Sequence, residues 1–331
     1  MALAASDATI FAMVNAGATQ MKCSICRSTG NVRLPHFNLK LCNEHFFDLV
    51  ERRVERAILK FKMFERTSRV LVAVSGGKDS LSLWYALTKL GYAADALFIR
   101  LGDTSVVNAA HALVQKAAAA LAGKLHVLDA TVYFNGASVQ DAAKILRRPV
   151  CAVCGLTRRY LMNKFACEHG YDVIATGHNM TDEATTLLGN LLHWQDGYLQ
   201  RQWPVLPKTH TRFVAKVKPM ALNYEQDIKQ YATLRGIEHL DLSCPFAAGA
   251  TSRLYKRLLT ELEDEQPGVT AAFYLGYIRR GRLQTASVQL QDCQQCGYPT
   301  TSAICAFCRL VGQFSRLKQA APRAPARPEQ G

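Results

Sequence analysis

One short stretch constrains the fold of this chain more than any other, because it joins a strand pattern to a helix pattern through two glycines. The aliphatic run Val70–Val74 predicts a buried strand, and the apolar spacing after residue 80 predicts a helix. Between them stand Ser75, Gly76, Gly77, Lys78, Asp79 and Ser80. Paired glycines let backbone N–H groups close around an anion, and the helix start adds its positive dipole end. The stretch therefore predicts a phosphate-binding turn.

The Ser-Gly-Gly-x-Asp-Ser pattern of this turn resembles the PP-loop of ATP pyrophosphatases, which split ATP into AMP and pyrophosphate while adenylating an oxygen atom. The resemblance implies that ATP binds at residues 75–80, with Ala73 beside them. The longer GxxxxGK loop does not match, because it needs more residues between its glycines. An ordinary glycine turn is the structural alternative. The position directly after a buried strand favours phosphate binding instead.

Downstream of the loop, short aliphatic runs alternate with helical patterns, and one further helical pattern precedes the loop. The predicted strands are Ala96–Arg100, Leu125–Asp129 and Asp172–Thr176, and the predicted helices are Phe46–Phe64, Ala109–Leu121 and Leu156–His169. This alternation predicts an α/β fold with a doubly wound parallel sheet and right-handed crossovers. Ligands of such sheets bind at the carboxyl ends of the strands, where the strand order reverses. We expect Ser75, Ile99 and Thr176–His178 to meet there.

The charge of the chain indicates a partner larger than ATP. Its net charge is +14 over 331 residues, and polyanions such as nucleic acid are the natural partners of so basic a protein. A basic, solvated surface is the alternative. No apolar run is long enough to span a bilayer, and residues 1–20 lack the basic start and the cleavage site of a signal peptide. We therefore expect a cytoplasmic protein whose cysteines stay reduced.

Eleven cysteines fall into clusters, which predicts metal or redox chemistry more than disulfides. Two clusters have the spacing of tetrahedral zinc sites. The N-terminal set is Cys23, Cys26, Cys42 and His45, and the C-terminal set is Cys293, Cys296, Cys305 and Cys308. We therefore expect two structural Zn²⁺ ions. For the first set the alternative is three ordinary cysteines and a surface histidine.

These features divide the chain into a central domain and appendages. The expected parts are a flexible leader over 1–20, an N-terminal zinc knuckle and linker helix over 21–66, a PP-loop catalytic domain over 67–250, C-terminal helices with a zinc ribbon over 251–312, and a disordered tail over 313–331.

Two further motifs follow the predicted strands. Cys151-x-x-Cys154-Gly155 opens a helix that carries Arg158 and Arg159, a setting that favours the thiolate form. By itself, CxxC could be redox-active, half a zinc site or part of a cluster site.

The second motif includes Gly177, His178, Asp182 and Glu183. Gly177 permits a close approach, and Asp182 is the expected carboxylate for Mg²⁺ or for positioning. A role in helix capping is the alternative, above all for Glu183.

Together the motifs resemble the tRNA 2-thiolation enzymes: the thermophile-type tRNA 2-thiouridine synthetases, which act on the thymine-loop uridine, and their wobble-uridine relatives. The resemblance spans roughly residues 23–308 and adds Cys244-Pro245 to the motifs above. It implies a tRNA substrate, a homodimer, and a sulfur donor that is often a ubiquitin-like thiocarboxylate protein. One departure concerns Arg158, which stands where the family commonly has lysine. Because arginine is a poor proton carrier, we expect an electrostatic role for it.

The resemblance also implies the reaction. ATP adenylates uracil O2, pyrophosphate leaves, and sulfur then replaces AMP. It assigns Cys151, Cys154 and Cys244 to a 4Fe-4S cluster with one open iron; a persulfide on one cysteine, resolved as a disulfide, is the other route that the residues allow. Two other classes remain: a PP-loop enzyme with an amine nucleophile, and a non-catalytic zinc protein that binds RNA.

Overall fold

The computed structural model describes residues 21–241, 251–281 and 289–320. The expected leader, Cys244 and the tail after residue 320 lie outside this described part. The chain divides into two compact units, residues 1–49 and 50–331. No helix within the described ranges is long and apolar enough to cross a bilayer.

The smaller unit contains a short antiparallel hairpin. Strand β1 is Val32–Leu34 and β2 is Leu39–Leu41, and Leu34 pairs with Leu39. The connection is one turn of 3-10 helix followed by Asn38 at φ 50°. A left-handed backbone suits asparagine better than most residues, which explains the tight reversal.

The remaining elements alternate as the sequence predicts. The other strands are β3 (Val70–Val74), β4 (Ala94–Arg100), β5 (Leu125–Asp129), β6 (Val173–Thr176), β7 (Val205–Leu206), β8 (Ala215–Val217), β9 (Gln291–Asp292) and β10 (Pro299–Thr300). The α-helices are α1 (Asn43–Lys60), α2 (Lys78–Lys89), α3 (Ser105–Leu121), α4 (Val139–Ile145), α5 (Val150–Glu168), α6 (Met180–Leu192), α7 (Asp196–Leu199), α8 (Glu225–Leu234), α9 (Thr251–Glu265), α10 (Val269–Arg279) and α11 (Ala306–Ala320).

The central sheet has the strand order β5-β4-β3-β6-β8-β7, and all its pairs are parallel except β7 with β8. The chain moves outward from β3 through β4 to β5, and then returns to place β6 on the other side of β3. The order therefore reverses between β3 and β6, where a doubly wound sheet opens its ligand crevice. The predicted fold class is confirmed, and the predicted loop follows the strand at this point.

Alternation along β3 explains how both faces of the sheet are covered. Val70, Val72 and Val74 join the apolar core that contains Trp84 of α2. Leu71 faces the opposite core, with α5 and α11. Successive side chains of a strand point to opposite faces, so one five-residue aliphatic strand supplies both cores.

The C-terminal part differs from the expectation in one respect. Residues 313–320, predicted as the start of a disordered tail, belong to α11. Phe314 of this helix is fully buried, and its ring meets that of Phe134 edge-on at 5.4 Å. Burial of an aromatic ring stabilises the helix beyond its final cysteine ligand candidate, Cys308.

Candidate active site

The glycine turn has the backbone that anion binding requires. Gly76 lies at φ +82°, and a Cβ there would come within 2.9 Å of Ala110 Cβ, so only glycine fits. Gly77 is the N-cap of α2, and no side chain caps that helix. Its first N–H groups therefore face outward for an acceptor. Ser80 Oγ steadies the turn by accepting a hydrogen bond from the Ser75 N–H at 3.1 Å.

The motif after β6 packs directly on this turn. A Cβ at Gly177 would stand 2.8 Å from the backbone of Asp79 and Ser80, so glycine allows the two loops to touch. Asn179 Nδ2 donates to Asp79 Oδ1 at 3.1 Å and links the second motif to the first. The close approach predicted for Gly177 is thus to the loop backbone. His178 is exposed, with Nδ1 2.8 Å from Thr176 Oγ1.

Asp182 and Glu183 separate into two roles. Asp182 forms a capping box with Asn179 at the start of α6, and its Oδ1 accepts from Lys256 Nζ at 2.9 Å. Glu183 is buried, 2.6 Å from Lys218 Nζ, and belongs to the core. Helix capping, the alternative considered above all for Glu183, is therefore the role of Asp182, whereas Glu183 forms a buried ion pair.

A chain of ion pairs runs from the loop to α9. Lys78 Nζ lies 2.9 Å from both Asp79 Oδ2 and Glu225 Oε1. Glu225 Oε2 accepts from Lys256 Nζ at 2.6 Å, and Lys256 also reaches Asp182. These five partly buried side chains come from three helix starts and from α9. They fix the position of the loop lysine.

The pKa values of this chain follow from burial and from the paired charges. Burial alone lowers the pKa of Lys256, but Asp182 and Glu225 outweigh it and raise the pKa above its ordinary value. Burial raises the pKa of Glu225, and the ammonium groups of Lys256 and Lys78 reverse this, so the net shift is downward. Burial raises the pKa of Asp79, which Lys78 offsets only in part. Lys78, Glu225 and Lys256 are therefore held in their charged forms.

A cavity of about 570 Å³ opens beside the loop. Its lining includes Gly77, Lys78 and Asp79 of the loop together with Glu225 and Glu263. The cavity gives a ligand access to the turn from solvent. Its size is typical of small-molecule sites, which run from about 300 to 1,000 Å³.

The CxxC motif occupies the first turn of α5. Because α5 leads by a short connection into the parallel strand β6, this turn lies at the carboxyl side of the sheet. Cys154 and Ala73 both pack against the apolar cluster that contains Ile99. Cys151 is exposed. The structure thus brings the motif and the ends of β3 and β4 into one cluster. The third predicted cysteine, Cys244, lies outside the described residues.

The two arginines after the motif take different positions. Arg158 is exposed on α5, one helical turn beyond Cys154. Arg159 folds back, and its Nη1 would lie 3.1 Å from a Cβ built on Gly155. Gly155 therefore leaves room for a guanidinium beside the CxxC turn. Lys216 of β8 is a cation close to Arg159. Its pKa is lowered mainly by burial and to a smaller extent by the positive charge of Arg159.

Both predicted zinc sets are assembled, each with its four ligand atoms within 4.8 Å of one another. Tetrahedral Zn²⁺ with bonds of about 2.3 Å to sulfur places two thiolates about 3.8 Å apart. Cys26 and Cys42 Sγ are separated by 3.8 Å, and Cys296 and Cys305 Sγ by 3.7 Å. His45 Nδ1 completes the first set at 3.2 Å from Cys42 Sγ. Both donor sets therefore fit a tetrahedral metal ion of this size.

The C-terminal set is part of the larger unit. Tyr160 of α5 stacks on Phe307, which lies between two of the cysteines, with ring centroids 4.0 Å apart. Cys293 and Cys305 are buried in the core beneath α5. The same helix therefore supports the CxxC motif at its start and the metal set along its length.

Sequence reasoning assigned no role to three residues of this site: Asn179, Glu225 and Lys256. Asn179 carried the only usable signal, because asparagine before a helix predicts an N-cap. Glu225 and Lys256 lie 147 and 178 positions beyond Lys78 in the numbering, within ordinary amphipathic helices. Only the tertiary fold makes them neighbours.

Comparison with known proteins gives consistent matches. A family model described as a PP-loop domain matches residues 50–241. A tRNA-5-methyluridine(54) 2-sulfurtransferase from Thermotoga maritima is 58% identical over 303 residues, which cover 91% of this chain and 100% of that relative. A protein of the same name from Thermus thermophilus is 42% identical over 88% of this chain and 91% of its own length.

Among solved structures, the U34-tRNA thiolase NcsA from Methanococcus maripaludis, determined with its 4Fe-4S cluster, matches with a TM-score of 0.76. The match covers 88% of this chain and 96% of that structure at 21% identity. At this identity the likeness shows a shared fold.

Proposed function

This chain belongs to the PP-loop tRNA 2-sulfurtransferase family, and from that premise we propose that it uses ATP to replace O2 of a tRNA uridine with sulfur. The names of the relatives favour 5-methyluridine at position 54 as the target. One observation carries the proposal: a phosphate-binding turn and a CxxC helix start belong to the same carboxyl edge of one sheet. An amine-transferring PP-loop enzyme has no use for the second feature.

The first step forms a bond from uracil O2 to the α-phosphorus and breaks the bond to pyrophosphate. The N–H groups of the turn and Lys78 would hold the negative charge that gathers on the leaving pyrophosphate. Asp79 and Glu225 keep Lys78 charged and hold its ammonium group beside the first turn of α2. Mg²⁺ would arrive with the ATP phosphates and take Asp182 as one protein ligand, since this ion is usually bound by one or two carboxylates and substrate phosphates.

The second step forms a C2–S bond and breaks the C2–O bond, so that AMP leaves with O2. Sulfide is consumed without any net oxidation or reduction. Arg158 and Arg159 lie on the helix that starts with the thiols and would stabilise the negative charge of the departing AMP phosphate. A ubiquitin-like thiocarboxylate protein as sulfur donor and a homodimer as working form are part of the proposal.

The described thiols fit an iron–sulfur cluster by their chemistry. Cys151 and Cys154 lie three residues apart in the first turn of α5, and cysteine sulfurs are the usual protein ligands of iron–sulfur clusters. We assign them to the cluster together with Cys244. When bound, the cluster would supply an iron to which sulfide can bind. Two Zn²⁺ ions would occupy the N-terminal and C-terminal sets, where they hold local structure together.

The test is nucleoside mass spectrometry after incubation of unmodified tRNA with the anaerobically purified holoenzyme, ATP, Mg²⁺ and sulfide. We expect 2-thiolated uridine at position 54, with AMP and pyrophosphate in equal amounts. Cys151→Ser and Cys244→Ala should abolish thiolation, while the first should still bind ATP. Thiolation that survives both substitutions would contradict the proposal. A colourless, iron-free protein with full activity would remove the cluster from it.

A further inference from the structure

A second cleft, separate from the ATP cavity, lies between the start of α5 and helix α11. Its volume is about 400 Å³. Three of its lining residues are arginines: Arg148, Arg309 and Arg316. All ten lining residues belong to the described part of the chain, and none of them is acidic. We call it the arginine cleft. No carboxylate of the wall therefore compensates the charge of the three arginines, although the wall also includes Cys308 of the C-terminal metal set.

Two of these guanidinium groups are held in place by neutral acceptors. Arg148 Nη2 donates to Gln313 Oε1 at 3.0 Å, which ties the segment before α5 to α11. Arg309 Nη1 donates at 2.6 Å to Ser302 Oγ and to the Ile304 carbonyl. A guanidinium has five N–H donors, so each arginine keeps most of its donors for a ligand. These neutral acceptors fix the positions of the two guanidinium groups without neutralising their charge.

Arg316 extends the row of cations along α11. It lies seven residues after Arg309, which places both on the same face of the helix. Arg316 and Arg148 are exposed, and the neighbouring Arg147 is exposed too. Exposed guanidinium groups in a row match the repeating phosphates of a nucleic acid backbone, which they bind in bidentate fashion.

The cleft adjoins the thiols. Arg148 and Cys151 are three residues apart, so their Cα atoms are at most about 11 Å apart. Leu156 of α5 lines the cleft two residues beyond Cys154. A strand whose phosphates lie in the cleft would have a neighbouring nucleotide within reach of the CxxC turn. ATP has its own site at the loop, so the cleft is available to a different polyanion.

We propose that the arginine cleft binds backbone phosphates of the tRNA strand that carries the target uridine. This inference rests on the proposed function, because it names where that substrate is held. It places RNA recognition on α11 and the turn before α5, next to the sulfur chemistry. Bases are not read there, so the contact contributes affinity and register.

The test compares two double variants that each remove two positive charges. Arg148→Gln with Arg316→Gln removes two charges from the cleft. Arg309 is left unchanged, because its hydrogen bonds to Ser302 and Ile304 hold the turn before Cys305. Arg279→Gln with Arg280→Gln is the matched control, at the exposed last residue of α10 and the residue that follows it. The affinity of unmodified tRNA for the holoenzyme is measured between about 50 and 200 mM salt. ATP affinity and zinc content are measured to confirm that each variant is folded.

We expect the cleft variant to bind tRNA at least about tenfold more weakly and to lower the slope of log K against log salt by about 1.5–2. The control should change neither quantity as much. Equal affinity and slope in both variants would overturn the inference. Polyglutamate that competes with tRNA as well as an RNA of equal charge would also overturn it, since the cleft would then serve an acidic protein. Absence of thiolation by the wild-type enzyme would count against the proposed function alone, because the cleft is judged by binding.

Discussion

The ammonium group of Lys256 lies 2.9 Å from the carboxylate of Asp182, although 74 positions of the chain separate them. The same ammonium contacts Glu225, whose other oxygen contacts Lys78 of the phosphate-binding turn. A residue of α9 is thus connected to the ATP site through two carboxylates. Lys256 is a positioning residue for Lys78 in this arrangement.

Lys256→Met should therefore lower kcat for pyrophosphate release more than it raises the KM for ATP. Losing charge-assisted hydrogen bonds costs about 1.5–3 kcal/mol, which corresponds to roughly 10- to 100-fold in rate. Arg257→Gln is the matched control, because Arg257 forms an exposed i,i+4 pair with Glu261 on the same helix. Steady-state assays of AMP formation compare the two. Equal rates of AMP formation in both variants would show that Lys256 does not position Lys78 for the reaction.

Gly177→Ala should weaken ATP binding by about tenfold or more, because the new Cβ would stand 2.8 Å from the backbone of Asp79 and Ser80. The helix start must then shift away from the geometry that aims its N–H groups at phosphate. Calorimetric titration with ATP measures the effect, and circular dichroism confirms the fold. The control is Gly197→Ala, where a Cβ meets open space, and its ATP affinity should be unchanged. Unchanged affinity in Gly177→Ala would place the phosphates elsewhere.

Glu225→Gln should destabilise the protein in a pH-dependent way. The pKa of Glu225 in the folded protein lies below its ordinary value of 4.5, because Lys256 and Lys78 outweigh the effect of burial. Its stabilising contribution is therefore complete above about pH 4.5 and is lost as the pH falls through the folded pKa.

Denaturant unfolding at several pH values tests this. The variant should be less stable than the wild type by about 1.5–3 kcal/mol at pH 7, and the difference should close below about pH 4.5. Glu238→Gln removes an exposed pair with Lys116 and should cost at most about 1 kcal/mol. A difference for Glu225→Gln that stays constant down to pH 3 would refute the charge pairing.

Removal of a cysteine ligand should distinguish the two metal sets. Cys26→Ser and Cys305→Ser should each leave one zinc ion per chain instead of two, measured by elemental analysis. Cys305→Ser should also lower the thermal midpoint of the larger unit, because Cys305 is buried in the core that contains Tyr160 and Phe307. Cys167→Ser, outside both sets, should keep both ions. Two ions in the Cys305→Ser protein would exclude that cysteine as a ligand.

Local patterns determined much of what the sequence could predict. The strand Val70–Val74 has its predicted bounds, because each of its residues packs on one of two cores and no polar residue interrupts the run. The turn at Gly76 and both metal sets are also confirmed as structures, because each depends on short spacings along the chain. Zinc as the bound metal stays a prediction.

Long-range relationships were not predictable in this way. Nothing in the spacing of α9 singles out Lys256, since its partners Asp182 and Glu225 are defined only by the packing of three helices. The tail prediction failed over residues 313–320 because polar residues surround Phe314, whose partner Phe134 is 180 positions away. Arg158 was favoured from its position after CxxC, yet Arg159 is the residue that folds back over Gly155.

The stacking of Tyr160 on Phe307 has a consequence for how the protein responds to its surroundings. Tyr160 belongs to the helix that begins with the two thiols, and Phe307 stands between two ligands of the C-terminal metal set. Chelation or oxidation of the cysteines of that set would loosen the aromatic stack and, with it, the packing of the helix whose first turn carries Cys151 and Cys154. If that set holds zinc as proposed, a cell short of zinc would lose tRNA thiolation through a structural defect, while ATP, sulfur and tRNA remained in supply.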